Sequence, residues 1–188
     1  MATVSSVTCV DSGISCFPQP VSSNSVNRSI KILFIAFPFI GTATEYPTSQ
    51  LNKTIVSYAG LSKATPIATG LVIHPEHPAA YVLDGEKGYI AYADLTDNVH
   101  NGNGVIYVGA VMPSKVMETR ALMFPDKEAK ERGALGHAIA ISNYKPDSEY
   151  IYYWGSGWSK YGFETMEKWN EYLSRYVQCV RNPLKVVY

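Results

Sequence analysis

The sequence predicts a mostly β fold, an antiparallel β-sandwich with one C-terminal helix. Short runs rich in β-branched and aromatic residues recur along the chain, and turn-forming residues separate them. Only one segment repeats its apolar residues with the period of a helix. Hydrophobic residues make up 46% and charged residues 17% of the 188 residues, so the chain can bury a core and lacks the composition of a disordered protein. This combination is typical of a two-sheet sandwich.

The N-terminal quarter of the chain differs from the rest. We expect a poorly structured or atypical segment over 1–48 and a β-sandwich domain over 49–188. Residues 1–30 are rich in Ser, Val, Asn and Pro without a sustained period. The apolar run Ile32–Ile40 is shorter than the about 20 residues that a membrane-spanning helix needs. It resembles the core of a secretory signal, although it lies far from the N-terminus. The alternatives are a buried strand, or an upstream region translated from a wrong gene start.

Eight segments of the remaining chain have the composition of strands. They are Thr54–Tyr58, Ile67–Ile73, Ala80–Leu83, Tyr89–Ala93, Val105–Met112, Val116–Phe124, Leu135–Ile141 and Glu149–Trp154. The glycine-containing connection Asp84–Gly88 predicts a hairpin between the third and fourth. We predict a polar loop over Asp94–Gly104, a charged surface loop over Pro125–Gly133, and a turn at Gly155-Ser156-Gly157.

One helix follows the last of these strands. Thr165 can cap its N-terminus with the side-chain oxygen, and Asn182-Pro183 ends it. Apolar residues between these positions share one helical face: Met166, Trp169, Leu173, Tyr176, Val177 and Val180. Leu184–Tyr188 is predicted to be a final extended strand.

Charge and motifs exclude several classes of function. Lys+Arg and Asp+Glu both number 16, so no basic excess is present to neutralise phosphates, and nucleic-acid binding is disfavoured. The chain has no phosphate-binding loop, no dinucleotide-binding glycine motif and no GxSxG nucleophile elbow, and we predict no cofactor. No membrane span is predicted. Cys9, Cys16 and Cys179 form an odd set without zinc spacing, and we interpret them as structurally incidental. The oligomeric state has no sequence signal.

His137 is the candidate catalytic residue. An imidazole can donate or accept a proton near neutral pH. Strand alternation places the small residues Gly136, Ala138 and Ala140 opposite it, which we interpret as leaving the sheet surface open. The alternative is a hydrogen-bonded structural histidine.

Aromatic residues supply the candidate substrate-binding surface. The chain has 14 Tyr, 3 Trp and 6 Phe, whose flat faces can pack on the apolar surfaces of sugars as well as in a core. Alternation puts Tyr152 and Trp154 on one strand face with Tyr150, and Trp158 follows the glycines. We predict Tyr152, Trp154 and Trp158 as a sugar platform, with packing of Trp158 under the C-terminal helix as the alternative.

Two polar strings could bind a metal ion, but simpler interpretations exist. His74-Pro75-Glu76-His77-Pro78 follows a strand, and its prolines exclude the helical geometry of zinc peptidases, so a tight loop is expected. Asp94, Asp97 and Asn98 could offer oxygens to calcium, but their spacing is not that of an EF-hand. His100 lies in the same loop with nothing to fix it. No metal site is predicted.

A family resemblance appears towards the C-terminus. The string Tyr152–Phe163 (YYWGSGWSKYGF), the helix behind it and Arg181–Val186 (RNPLKV) resemble the closing segment of domain-of-unknown-function family 4861. Further segments resemble that family in order and spacing: Ala68–Pro75, Gly88–Tyr92, Ile106–Val108 and Gly136–Ile141. The likeness runs from about Ser49 to Tyr188. The family is typical of bacteria that degrade plant polysaccharides, often encoded beside pectin-degrading enzymes.

The resemblance implies both a fold and a setting. Members of the family are longer, so it implies that this chain is the C-terminal part of a mutarotase-like or lyase-like supersandwich and a truncated or misstarted product. It also implies export to the periplasm or cell surface and action on pectin-type oligosaccharides as a hydrolase or lyase. His137 would then transfer protons while the aromatics hold the sugar. The alternatives are a non-catalytic sugar-binding or accessory domain, and a truncated product without activity.

Overall fold

A computed structural model describes residues 49–95 and 102–183, which form eight strands and two helices. The strands are β1 (Leu51–Val56), β2 (Thr65–Ile73), β3 (Tyr81–Asp84), β4 (Tyr89–Leu95), β5 (Val105–Val111), β6 (Val116–Met123), β7 (Gly136–Tyr144) and β8 (Tyr150–Trp158). The helices are α1 (Asp126–Arg132) and α2 (Met166–Arg181).

Two antiparallel sheets pack face to face and confirm the predicted sandwich. The five-stranded sheet has the order β1-β8-β5-β4-β3, and the three-stranded sheet has the order β2-β7-β6. Strands β3 and β4 pair as the predicted hairpin, with Leu83 opposite Ile90. In the three-stranded sheet, Ala140 of β7 lies opposite Thr69 on one side and Thr119 on the other.

The main core fills the space between the two sheets. Ile90 of β4 and Met112, which follows β5, are fully buried there, together with Ala140 of the three-stranded sheet. Thr69 Oγ1 and Tyr150 Oη share a hydrogen bond of 2.9 Å across the sandwich. This bond satisfies two buried hydroxyl groups and ties β2 to β8, which sets where the smaller sheet lies over the larger one.

Helix α2 covers the outer face of the five-stranded sheet. Trp169, Leu173 and Val177 are buried against it, as the helical period predicts, and Thr165 caps the N-terminus by accepting a hydrogen bond from Lys168 N. Gly109 allows the helix to approach, since a Cβ atom there would lie 2.6 Å from Cδ1 of Leu173. The helix is therefore a third layer of the fold, packed by its apolar stripe.

The charged segment Pro125–Gly133 is a helix, so the predicted surface loop is wrong. Acidic residues stand in the first turn of α1, and basic residues in the last turn, where they complement the helix dipole. Arg132 pairs with Glu128 one turn earlier at 2.8 Å, and Gly133 ends the helix with a left-handed conformation. The helix buries none of its residues, which explains the absence of an apolar period in the sequence.

Gly155 and Gly157 lie inside β8, so the turn predicted at Gly155-Ser156-Gly157 is also wrong. Gly155 pairs with Leu51 on one side and Gly109 on the other. A Cβ atom at Gly155 would collide with the backbone oxygen of Gln50, whereas one at Gly157 would lie 2.6 Å from the ring of Phe163. Both positions need glycine because neighbouring atoms come close, and neither makes a turn.

Replacing Gly155 by alanine is expected to lower the free energy of unfolding by about 1–3 kcal/mol, because the added methyl group must displace the backbone at the start of β1. Urea unfolding checks this value. Ser156→Ala changes an exposed neighbour in the same strand and should cost less than about 0.5 kcal/mol. Equal stability of the Gly155→Ala variant and the wild type would contradict the close approach.

Several predicted features lie outside the described residues. These are the apolar run Ile32–Ile40, Cys9, Cys16, Asp97, Asn98, His100 and the strand Leu184–Tyr188. Cys179 is a free, exposed thiol on α2. Neither helix in the described part of the chain is long and apolar enough to span a membrane.

Candidate functional site

The smaller sheet leaves part of the larger one uncovered. Strand β2 is an edge strand that pairs only with β7. Its Thr69 contacts Tyr150 on β8, whereas His74, just after its end, contacts Asp94 on β4. Within these few residues β2 thus crosses from β8 over β5 to β4. Beyond its free edge, the second half of β8 exposes side chains on the inner face of the five-stranded sheet.

Two tryptophans lie on this open face. Trp154 and Trp158 of β8 are 40% and 42% exposed, and Ser156 between them is also exposed. Trp154 lies opposite the buried Ala110, so the three residues point to the same side of the sheet as the inter-sheet core. We call Trp154, Ser156 and Trp158 the tryptophan surface. Trp154 and Trp158 are four positions apart in the strand, which separates their Cα atoms by about 13 Å.

Both indole N–H groups are already bonded. Trp154 Nε1 donates to Thr54 Oγ1 at 2.9 Å, and Trp158 Nε1 donates to the backbone oxygen of Asn103 at 2.7 Å. These bonds fix the orientation of each ring, and they leave the ring faces as the groups available to a ligand. Neither Thr54 nor Asn103 can be predicted as a hydrogen-bond partner from the sequence, because each lies far from its tryptophan along the chain.

Tyr152 borders the tryptophan surface. It lies on the same face of β8 as Trp154, as alternation predicts, but it is half-buried and packs against the inter-sheet core. Its ring centroid lies 5.9 Å from that of Tyr150. Tyr152 therefore forms the boundary between the core and the open face, and its contact with a substrate stays a prediction. Packing of Trp158 under the C-terminal helix is wrong, because α2 covers the opposite face of the sheet, where Gly157 lies.

His74 and Asp94 form a pair at the end of β2. His74 Nδ1 lies 3.0 Å from Asp94 Oδ1, and the two side chains are 39% and 30% exposed. The backbone N–H of His74 donates to Tyr92 Oη at 3.0 Å. We placed Asp94 at the start of a loop, but β4 continues through it and turns its side chain towards the inner face. We did not predict this pair from the sequence, although both residues are titratable groups at the end of a strand.

The string His74–Pro78 makes the tight connection that we predicted between β2 and β3. The backbone N–H of His77 donates to His74 O, and that of Ala80 donates to His77 O, both at 3.3 Å. Among the described residues, no three His, Cys, Asp or Glu side chains converge as a metal site.

Comparison with known families identifies one family that the chain matches. The family model described as domain of unknown function DUF4861 matches residues 42–186. The chain belongs to the DUF4861 family. This confirms the resemblance carried by the C-terminal string, and the family's description assigns no activity. No curated protein and no solved structure matches the chain.

In this DUF4861 domain, His137 lies apart from the tryptophan surface. It points from β7 to the outer face of the three-stranded sheet, where its ring packs edge-on against Phe124 at 5.1 Å. The guanidinium group of Arg132 on α1 lies over the same Phe124 ring, 4.9 Å from its centroid. The small neighbours Ala138 and Ala140 face the inter-sheet core, so they let the sheets pack and do not open a surface around the histidine. Catalysis by His137 stays a prediction.

Burial lowers the pKa of His137, and the positive charge of Arg132 lowers it further. The folded protein therefore favours the neutral ring, and its contribution to stability is fully present above the usual histidine pKa of about 6.5. As the pH falls through that value, the unfolded chain takes up a proton more readily and stability is lost. We expect the wild type to lose more free energy of unfolding than His137→Gln between about pH 7.5 and about pH 5. Parallel losses in urea unfolding at the two pH values would contradict this.

Proposed function

We propose that this DUF4861 domain binds a pectin-type oligosaccharide across the tryptophan surface, as part of a carbohydrate-processing protein. The observation that carries the proposal is the pair of exposed indole faces on one strand, at Trp154 and Trp158. Hydrogen bonds from both indole N–H groups hold the rings in fixed orientations, so a ligand that packs on the ring faces does not have to order them.

The chemistry of sugars suits this surface. A sugar ring presents apolar C–H groups on its faces and hydroxyl groups around its edge. The indole faces can pack on the former, and polar groups beside them can bond the latter. Those polar groups are the Ser156 hydroxyl between the indoles, the Asn52 side chain paired opposite Trp154, and the backbone along the free edge of β2. The spacing of the indoles suits a chain of several sugar units better than a single one.

The pectin class and the cellular setting rest on the family resemblance. We propose on that ground that the protein works in the periplasm or at the cell surface of a bacterium. Whether binding leads to turnover separates a glycan-active enzyme from an accessory binding domain.

Calorimetric titration of the full chain tests the proposal. Two ligands are used, a linear galactan tetrasaccharide and a galacturonic acid tetrasaccharide. We expect saturable binding of at least one of them, and no binding of either would contradict the proposal. Chromatography of the same mixtures after long incubation then shows whether new products form. Products favour the enzyme, whereas binding without products favours the accessory domain.

A further inference from the structure

The His74–Asp94 pair lies on the same sheet face as the tryptophan surface. Asp94 of β4 is paired directly with Ile106 of β5, and Ile106 is paired with Trp158 of β8. Directly paired residues of an antiparallel sheet point to the same side. Two strand spacings separate Asp94 from Trp158, which is about 10 Å between Cα atoms. A sugar chain packed on Trp158 can therefore extend across Ile106 to His74.

The pairing with Asp94 determines what His74 offers to a ligand. With Nδ1–H donating to the carboxylate, a neutral imidazole keeps the lone pair of Nε2 as a hydrogen-bond acceptor. The side chain is 39% exposed, so part of the imidazole ring is open to solvent. The bond from the His74 backbone to Tyr92 Oη fixes the position of the residue as well. A sugar hydroxyl group is a donor that matches such an acceptor.

The pair also carries a negative charge. Among the described residues, no Lys or Arg forms an ion pair with Asp94, and its carboxylate is 30% exposed. Glu76, two residues after His74, is exposed nearby. Burial raises the pKa of the Tyr92 phenol, and the negative charges of Asp94 and Glu76 also raise it. Both carboxylates therefore contribute negative potential beside His74. A ligand carboxylate would be repelled here.

We propose that His74 and Asp94 form a neutral-sugar position at one end of the tryptophan surface. Nε2 of His74 accepts a hydrogen bond from a sugar hydroxyl group, and the Asp94 charge disfavours a uronic acid at that position. This inference rests on the proposed function. It narrows the pectin-type ligands to those that place a neutral sugar at His74, at the end of a chain packed on Trp158.

The test compares the two tetrasaccharides by calorimetric titration of the full chain at low salt and about pH 8, above the usual range of histidine titration. The galactan tetrasaccharide should bind about tenfold more tightly than the galacturonic acid tetrasaccharide, and added salt should narrow the difference by screening the repulsion. His74→Ala should weaken galactan binding about tenfold through the lost hydrogen bond. His77→Ala, a change of the same type in the same connection, should leave galactan binding unchanged.

Asp94→Asn distinguishes charge from structure. It keeps the size of the side chain and an oxygen for His74 Nδ1–H, and it removes the charge. Binding of the galacturonic acid tetrasaccharide should become roughly threefold tighter, which a purely structural role of Asp94 would not produce. Equal binding of the two ligands to the wild type, or galactan binding unchanged by His74→Ala, would overturn this inference and leave the proposed function standing. Binding of neither ligand would overturn both.

Discussion

Replacing Trp169 by alanine is expected to lower the free energy of unfolding by about 3–5 kcal/mol. The side chain is fully buried between α2 and the five-stranded sheet. Its ring stacks on Tyr172 at 5.4 Å and packs edge-on against Phe163 at 4.9 Å, and Nε1 donates to Val108 O. Truncation leaves a cavity that the glycines beneath the helix cannot fill, and it removes the bond to Val108.

Urea unfolding followed by circular dichroism measures this loss without relying on tryptophan fluorescence. Trp154→Ala is the matched control, because it truncates the same side chain at a position that is 40% exposed. We expect the control to cost about 1 kcal/mol, since the truncated ring is already half in water and loses one hydrogen bond. Equal losses in the two variants would contradict the placement of α2 as the third layer of the fold.

Replacing Trp158 by alanine is expected to weaken binding of the galactan tetrasaccharide by about 2 kcal/mol, which is roughly 30-fold in the dissociation constant. The ring offers a fixed face on the open part of the sheet, next to the position of His74 and Asp94. Truncation removes both the apolar contact with the sugar and the flat ring face that would orient it. Calorimetric titration of the variant gives the change directly.

Two further variants make this result specific to the Trp158 ring face. Trp158→Phe keeps an aromatic face but loses the bond to Asn103 O, so it should bind with intermediate affinity. Met117→Ala removes an exposed apolar side chain from β6 of the other sheet and should bind as the wild type does. Unchanged affinity of Trp158→Ala, with its fold intact by circular dichroism, would remove Trp158 from the site.

Local patterns were enough to predict most elements of this fold. The strands follow from runs of β-branched and aromatic residues, and α2 follows from its period, its cap at Thr165 and its end at Asn182-Pro183. The hairpin between β3 and β4 follows from a short connection with glycine. In each case the signal lies within a few neighbouring residues, so no knowledge of tertiary packing is needed.

The errors have a different physical origin. Gly155 and Gly157 have the composition of a turn, but the atoms that require glycine there belong to other parts of the chain. Gln50 lies far away in the sequence, and Phe163 follows the end of β8. Helix α1 buries nothing, so its sequence has no apolar face to reveal it. Tertiary contacts override local propensity at the glycines, whereas charge pairs and the left-handed end at Gly133 stabilise the short helix.

The candidate site was predictable only in part. The shared face of Tyr152 and Trp154 follows from alternation, whereas the openness of that face depends on how β2 crosses the larger sheet. The pairing of His74 with Asp94 depends on the same crossing, since the two residues come from different sheets. His137 was a candidate because it is a histidine within an apolar strand. Only the packing of the layers shows that it lies on the outer face of the three-stranded sheet, away from the tryptophans.

The indole N–H signals of the protein test the central claim most directly. The chain has 3 tryptophans, so a ¹⁵N-labelled sample gives one side-chain signal for each, and single substitutions assign them. On titration with the galactan tetrasaccharide, we expect the Trp154 and Trp158 signals to shift in proportion to saturation while that of Trp169, buried under α2, stays in place. Saturable binding that leaves the Trp154 and Trp158 signals unchanged would contradict a sugar site on the tryptophan surface.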